Sequence, residues 1–472
     1  VNPTPAPTLT VVNPATDAVI DEVPSTPVAE LPALVVAARA AQRQWAAVPL
    51  ADRVAVVEWF ASAIADDVNG LADVLVAETG KPVSQARAEV AATVDRVRYL
   101  ASVAPEALAE VSVDDDGPGT TGVVVREPLG VVANISAWNY PWFVGTNVYV
   151  PALLAGNAVL YKPSEHATLT GLAMGRLWAD AGLPADLFTV VVGDGTVGAA
   201  LVHDDIDQVS FTGSHATGQA IAVAVASRLV PVQLELGGTD PVYVTDDVDV
   251  DVAAASVADG AFYNNGQSCC SVERIYVHQA VADRFIDRFV HAVDGFTMGD
   301  PTDERTYLGP LTRSQQVAVL EAHIADAVAR GATVVRGGGV VDRGAGTWFA
   351  PTVLTGATDD MAVMREESFG PVIGIAVVAD DDEAIRRMNT SDFGLTAGVF
   401  TTDATRAQTV LSALDAGSAY WNCCDRVSPR LPWSGRRRSG LGFTLSQAGI
   451  TAFTRPKALH LRPGGAGSGL VS

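Results

Sequence analysis

Cysteine is scarce, with 4 in 472 residues, and the four stand as two adjacent pairs, Cys269–Cys270 and Cys423–Cys424. Neighbouring cysteines bridge poorly, so this usage excludes a disulfide framework and points to a reducing compartment. The expected location is the cytoplasm. No CxxC spacing or histidine cluster accompanies them, so no zinc or other metal site is expected. Long apolar runs are missing too. No window reaches the roughly 18 residues of a spanning helix, and the opening VNPTPAPTLTVVNP is not a secretory signal. Positive charge is also short: 31 Lys and Arg against 54 Asp and Glu leave a formal charge of −23. Nucleic acid and anionic membrane surfaces reward a basic face, so neither is an expected partner.

What is present describes an ordinary packed protein, 48% hydrophobic and 18% charged. Its length calls for two or three domains. Residues 1–10 are Pro/Thr-rich and expected to be mobile. From Leu31 to about Glu110, apolar residues recur at three- and four-residue spacing, which predicts helices. Val111 to Glu127 changes period and reads as two strands about an Asp/Gly/Pro turn. From Gly130 to about Val244, short apolar runs (VVANI, AVLYK, LFTVVVG, QVSFTG, VQLELGG, PVYVT) alternate with helical segments. A second alternating block runs from Asp249 to about Phe443, with RIYVH, ATVVRGG, VIGIAVV, AGVFTT and SAYWN as strands. Such alternation predicts parallel sheets with helices on both faces. TRPKALHLR reads as a last strand and PGGAGSGLVS as a flexible end. No internal repeat and no long linker interrupts the chain.

Five stretches carry chemistry. FYNNGQSCCSVER, Phe262 to Arg274, holds Cys269 behind a Gly-Gln-Ser run; a thiol there is a nucleophile if neighbours lower its pKa, and otherwise a small buried hydrophobe. AWNYPW places Asn139 after a strand, where its amide could donate to an oxyanion, although Asn-Tyr-Pro is also an ordinary turn. YKPSE puts Lys162 and Glu165 three residues apart, suited to ribose hydroxyls or to a helix entrance. FTGSHATG, from Phe211 to Gly218, is a strand, a glycine turn and a helix start that could hold a pyrophosphate, although it is not GxGxxG. LELGG leaves Glu235 at a strand end, either capped structurally or raised in pKa as a general base.

Together these motifs resemble the aldehyde dehydrogenase superfamily from about Val12 to Lys457. NPATDAVIDEVP, REPLGVVANISAWNYPW, GNAVLYKPSE, FTGS, LELGG, NNGQSCCSVER, REESFGPV, SDFGLTAGVFT and SGLGFTLSQAGITAFTRPK occur in the family's order. The resemblance implies an α/β fold with two doubly wound parallel-sheet domains plus a β-hairpin oligomerisation arm. Residues 1–110 and 129–237 would form the cofactor-binding domain, 238–443 the catalytic domain, and 111–128 with 455–463 the arm, giving a homodimer or homotetramer. It implies NAD(P)-dependent oxidation of an aldehyde to a carboxylic acid, with Cys269 as nucleophile and Asn139 and the Cys269 N–H as the oxyanion hole. Glu235 would activate the water that hydrolyses the thioester.

Trp138, Lys162, Glu165, Gly213, Ser214 and Gly218 match cofactor positions, as do Glu367 and Phe369 near the nicotinamide. NAD is expected over NADP, because Glu165 would oppose a 2′-phosphate. Tyr140, Val144, Asn147, Tyr263, Ser268, Arg426 and Val427 match the substrate tunnel. Asn147 and Arg426 motivate a polar aldehyde or semialdehyde, while an Asp425–Arg426 surface pair is the plainer reading. Cys270 is expected to pack. Thr239, Ser434 and Arg437 depart from the family's usual residues beside the substrate mouth or subunit contact. The rivals are a CoA-acylating dehydrogenase, which would generally lack a base such as Glu235, and a non-catalytic NAD-binding relative, which would be expected to have lost Cys269 or Glu235.

Overall fold

The structure, a computed structural model, describes residues 7–114 and 120–462. The expected Asp/Gly/Pro turn and flexible end lie largely outside the described residues.

Two parallel sheets carry the architecture. The first has six strands in the order Gly440–Leu441, Val232–Glu235, Gln208–Thr212, Val131–Ile135, Ala158–Lys162, Phe188–Val190. All neighbours are parallel except Gly440–Leu441. Its central strands are buried at every position. That burial on both faces explains their continuous apolar runs. The second has seven strands: Thr333–Arg336, Thr352–Thr355, Val372–Val378, Val272–His278, Asp240–Val244, Thr396–Phe400 and Ser418–Trp421, in that spatial order. Only Thr333–Arg336 runs antiparallel to its neighbour. A separate antiparallel sheet joins Val111–Asp114, Thr121–Pro128 and Thr454–Leu461.

The helical stretch resolves into four helices, Leu31–Ala46, Leu50–Asp66, Val68–Thr79 and Val83–Ala107. Their apolar faces join the core of the six-stranded sheet. No helix among the described residues is long and apolar enough to cross a membrane.

Three features differ from expectation. Thr8–Val12 is a strand paired with Val19–Pro24, so the Pro/Thr-rich start is ordered from Thr8 onward. Gly440–Leu441 leaves the expected 238–443 catalytic span and pairs with Leu234 and Glu235 of the other sheet. Thr352–Thr355 is a strand that the sequence pattern does not separate from its surroundings.

Candidate active site

Four parallel strands end at one place. Val131–Ile135 runs into Ser136–Asn139, Ala158–Lys162 ends on Lys162, Gln208–Thr212 leads to Gly213, and Val232–Glu235 ends on Glu235. Val131–Ile135 has Ala158–Lys162 on one side and Gln208–Thr212 on the other, both later in the chain, so the winding of the sheet reverses there. Carboxyl ends at such a reversal leave a crevice. Here it is a cavity of ≈ 690 Å³ lined by Trp138, Asn139, Lys162, Glu165, Gly213, Ser214, Glu235, Cys269, Glu367 and Phe369. Gly218 stands apart, packed beneath, where an added Cβ would meet Leu236 at 2.5 Å.

The loop carrying Cys269 is held by its own backbone shape. Helix Val250–Phe262 ends, and Asn264, Asn265 and Gly266 follow in left-handed geometry, φ 53, 58 and 67. Asparagine tolerates that region because its amide finds local partners. Asn265 Nδ2 donates to Gly309 O at 2.8 Å and Pro310 O at 2.9 Å. Asn264 Nδ2 lies 3.3 Å from Asn139 O, and Asn139 Nδ2 donates to Gln267 O at 3.1 Å. The Cys269 loop and Asn139 are therefore tied together, with one Asn139 amide hydrogen left over.

Glu235 is 6% exposed. It accepts the Thr444 hydroxyl and, at 3.3 Å, Gln233 Nε2. Burial raises its pKa to about 7, against the pull of Thr444, Arg96 and Gln233. A carboxylate half-ionised near neutrality suits a general base.

Sequence reasoning missed the layer behind. Lys81 and Glu89 form a buried ion pair; Lys81 Nζ also donates to Asn139 O at 2.7 Å, and Glu89 accepts the Trp142 N–H at 3.0 Å. Arg96, 4% exposed, donates to Asn147 Oδ1 at 2.6 Å, lies over the Phe143 ring at 4.2 Å and leaves its Nε without a partner. Burial lowers its pKa to about 10, opposed chiefly by the charges of Glu235 and Glu89. No local signal marked them, because the charges on and beside helix Val83–Ala107 read as a solvated face.

In the other half of the cavity, Ser214 caps helix His215–Ala226, its Oγ accepting the Thr217 N–H at 3.3 Å. Free N–H groups at such a terminus suit a phosphate. Lys162 is 3% exposed, 3.9 Å from Glu165, and burial lowers its pKa while Glu165 pulls it up. Glu367 accepts the Gly238 N–H at 3.1 Å, and burial raises its pKa to about 7. Phe369 meets Trp138 edge-on at 5.6 Å. Gly237 leaves room for Glu367, since a Cβ there would sit 2.3 Å from its carboxylate. A carboxylate and an ammonium, a helix N-terminus, a second carboxylate and a flat aromatic wall along one cleft fit a dinucleotide.

Of the residues expected in a tunnel, Tyr140 stacks on Phe143 with Lys81 Nζ 3.8 Å from its ring centre, and Val144 and Asn147 are buried in helix Pro141–Leu154. Tyr263 meets Tyr307, and Ser268 Oγ lies 3.5 Å from Cys270 Sγ. Val427 packs with Cys269, Cys270, Leu395, Trp433 and Leu445. Arg426 is exposed, while Asp425 turns inward to accept the Cys270 thiol at 2.9 Å. Asp425 is thus not the outer half of a surface pair; burial raises its pKa to about 6. The neighbouring Cys269 thiol, burial and Asp425 push the Cys270 pKa well up, so Cys270 packs as a neutral thiol. Thr239 is buried against Ser391 at 2.6 Å, and Arg437 pairs with Asp415 at 2.6 Å; neither lines the cavity.

The chain is similar to known proteins over nearly its whole length. The profile of the aldehyde dehydrogenase family matches residues 1–459. A betaine aldehyde dehydrogenase of Rhizobium leguminosarum bv. trifolii is 36% identical over 457 residues, 96% of this chain and 93% of the relative. A putative succinate-semialdehyde dehydrogenase [NADP(+)] of Mycolicibacterium smegmatis is 39% identical over 426 residues, 89% of this chain and 82% of the relative. The crystal structure of an NAD-dependent aldehyde dehydrogenase from Sinorhizobium meliloti superposes with a TM-score of 0.96 at 32% identity, covering 99% of this chain and 94% of that one. The chain belongs to the aldehyde dehydrogenase family. It is an NAD(P)-dependent oxidoreductase that converts an aldehyde to an acid.

Proposed function

We propose that Cys269 is the nucleophile of this reaction, Asn139 its oxyanion donor and Glu235 its general base. The observation that supports this most is their convergence on one cavity with Glu367 and Phe369. Cys269 Sγ adds to the aldehyde carbon, and the oxygen that becomes negative meets the unused Asn139 amide hydrogen and the Cys269 N–H. When bound, the dinucleotide supplies the acceptor for the hydride that leaves this carbon. The resulting Cys269 thioester is attacked by water, whose proton passes to Glu235, and the carboxylic acid departs. A base at that position favours hydrolysis over transfer to CoA.

Lys162, Glu165 and Trp138 would hold the adenosine side, the Gly213–Ser214 turn the phosphates, and Glu367 and Phe369 the nicotinamide side. Gly218 supports them from below. NAD is favoured over NADP because Glu165 brings a negative charge where a 2′-phosphate would lie. Dinucleotide binding belongs to the unit 1–110 with 129–237, the nucleophile to 238–443, and assembly to the arm 111–128 with 455–463. Val111 and Val113, each 49% exposed, support pairing of that arm with a second copy, as homodimer or homotetramer. Free cysteines fit the cytoplasm. Asn147 and the tyrosines Tyr140 and Tyr263 favour a small polar aldehyde, in keeping with relatives named for betaine aldehyde and succinate semialdehyde.

The test is dinucleotide reduction, followed by absorbance, across a panel of aldehydes with NAD and NADP. Turnover should vanish in Cys269→Ala and rank small polar aldehydes first. A Cys269→Ala variant that still turns over would overturn the assignment. Long alkyl aldehydes outrunning succinate semialdehyde would overturn the substrate class, and equal use of NADP the cofactor preference.

A further inference from the structure

One buried carboxylate has no part in the chemistry just described. Glu273 follows Cys269 by four residues on strand Val272–His278 and is 4% exposed. Its neighbour Arg274 does not neutralise it, but turns to Thr239 O at 2.7 Å and Met388 O at 3.1 Å. Both Glu273 oxygens are instead spent on backbone N–H groups: Ser368 N at 2.9 and 3.1 Å, and Phe369 N at 2.9 Å. A carboxyl buried without a cation is costly; the Ser368 and Phe369 N–H groups offset part of that cost, while burial and the nearby Glu367 and Asp240 push the Glu273 pKa well up.

Those N–H groups belong to the turn between Glu367 and Phe369. Ser368 is fastened at every polar atom. Gln316 Nε2 donates to its carbonyl at 2.6 Å, and His323 Nδ1 lies 3.1 Å from its hydroxyl. Phe369 is held at φ 45, a left-handed geometry that an aromatic residue does not adopt without support. Around this fixed point, Glu367 and Phe369 face the cavity.

Resting on the dinucleotide reading above, we propose that Glu273 is the positioning residue of the cofactor loop. By holding the Ser368 and Phe369 N–H groups it sets Glu367 and Phe369 where a nicotinamide riboside lies, in register with Cys269 on the same stretch of chain. Preorganisation of this kind lowers the ordering cost of binding.

The test uses the full chain and its Glu273→Gln variant, which keeps the shape but replaces one acceptor by a donor. Titration of the free enzyme with NADH, or with NADPH if that binds more tightly, is followed by fluorescence. The variant's Kd should rise about tenfold. Alkylation of Cys269 by iodoacetamide without dinucleotide should stay at the wild-type rate, a result that general unfolding would not give. Hydrogen exchange across residues 366–370 should quicken. A folded variant with wild-type Kd overturns the proposal. If Glu273→Gln does not fold, Glu273→Asp, whose shorter side chain cannot reach both N–H groups, should weaken NADH in the same direction, and an unchanged Kd there overturns it equally. Wild type that binds neither dinucleotide would instead overturn the cofactor assignment itself.

Discussion

Lys81 Nζ donates to the backbone carbonyl of Asn139 at 2.7 Å while pairing with Glu89 inside the protein, both side chains 1% exposed. Burial disfavours both charges, lowering the Lys81 pKa and raising that of Glu89, and their mutual attraction opposes it. Glu89 also takes the Trp142 N–H, so the pair spans the turn that presents Asn139. Lys81→Met should therefore leave an unpaired buried carboxylate and cost roughly 3–5 kcal/mol. Denaturant melts should show that loss, and Lys81→Met/Glu89→Leu should recover part of the stability without recovering turnover. A single variant as stable as wild type would sink the argument.

Glu235 gives a pH dependence whose sign is fixed. Its carboxyl moves from 4.5 to about 7 on folding, chiefly through burial. The fold prefers the neutral form, so this contribution is intact below the unfolded value and lost as pH rises through about 7. The ionised form costs about 3 kcal/mol relative to an exposed carboxylate. Glu235→Gln should thus gain stability over wild type between pH 5 and pH 8. It should also lose steady-state turnover while retaining a single burst of dinucleotide reduction. Thermal melts at the two pH values and a rapid-mixing trace check both; a stability difference that does not change with pH would contradict the burial argument.

Arg96 and Thr444 both favour the ionised Glu235. Removing either should move the acid limb of the turnover profile to higher pH, by about one pH unit for Arg96→Leu. Arg96→Leu also strands the Asn147 carbonyl, so its stability should fall, whereas Thr444→Val should shift the limb with less loss. Profiles of kcat against pH decide this. A limb that stays in place in both variants would mean that burial alone sets the base.

Cys269, Glu235 and Asn139 were singled out in the sequence through motifs that resemble the family's. Asn139 follows strand Val131–Ile135 and Glu235 ends strand Val232–Glu235, while Cys269 sits on the loop between helix Val250–Phe262 and strand Val272–His278, and all three line one cavity. Lys81, Glu89 and Arg96 were not legible. They lie on or next to a helix, Val83–Ala107, whose charges read locally as a solvated face; helix Pro141–Leu154, arriving more than thirty residues later, is what packs against it and buries them. Asn147 could be placed on the tunnel wall by resemblance, but its bond to Arg96 depends on that same long-range packing. Thr8–Val12 was hidden by proline and threonine content; it is ordered because Val19–Pro24 supplies the antiparallel partner.

Gly266 offers the sharpest check on the loop geometry. Its φ of +67 sits after two asparagines that share the left-handed region, and a Cβ there would lie 2.5 Å from Gly370 O and 3.0 Å from Ala261 O. Both are backbone atoms, so a side-chain rotation cannot relieve the contact. Gly266→Ala must pay roughly 1–2 kcal/mol for the backbone alone, and then push the Cys269 loop and the 366–370 cofactor loop apart. Misplacement on that scale should lower kcat by about 100-fold. Gly182→Ala is the control: its φ is +78, but nothing lies within 4 Å of the added Cβ. That variant should show the backbone cost in its melting temperature and keep wild-type kcat. If Gly266→Ala turned over as fast as Gly182→Ala, close contact between the two loops would not be what holds Cys269 in place.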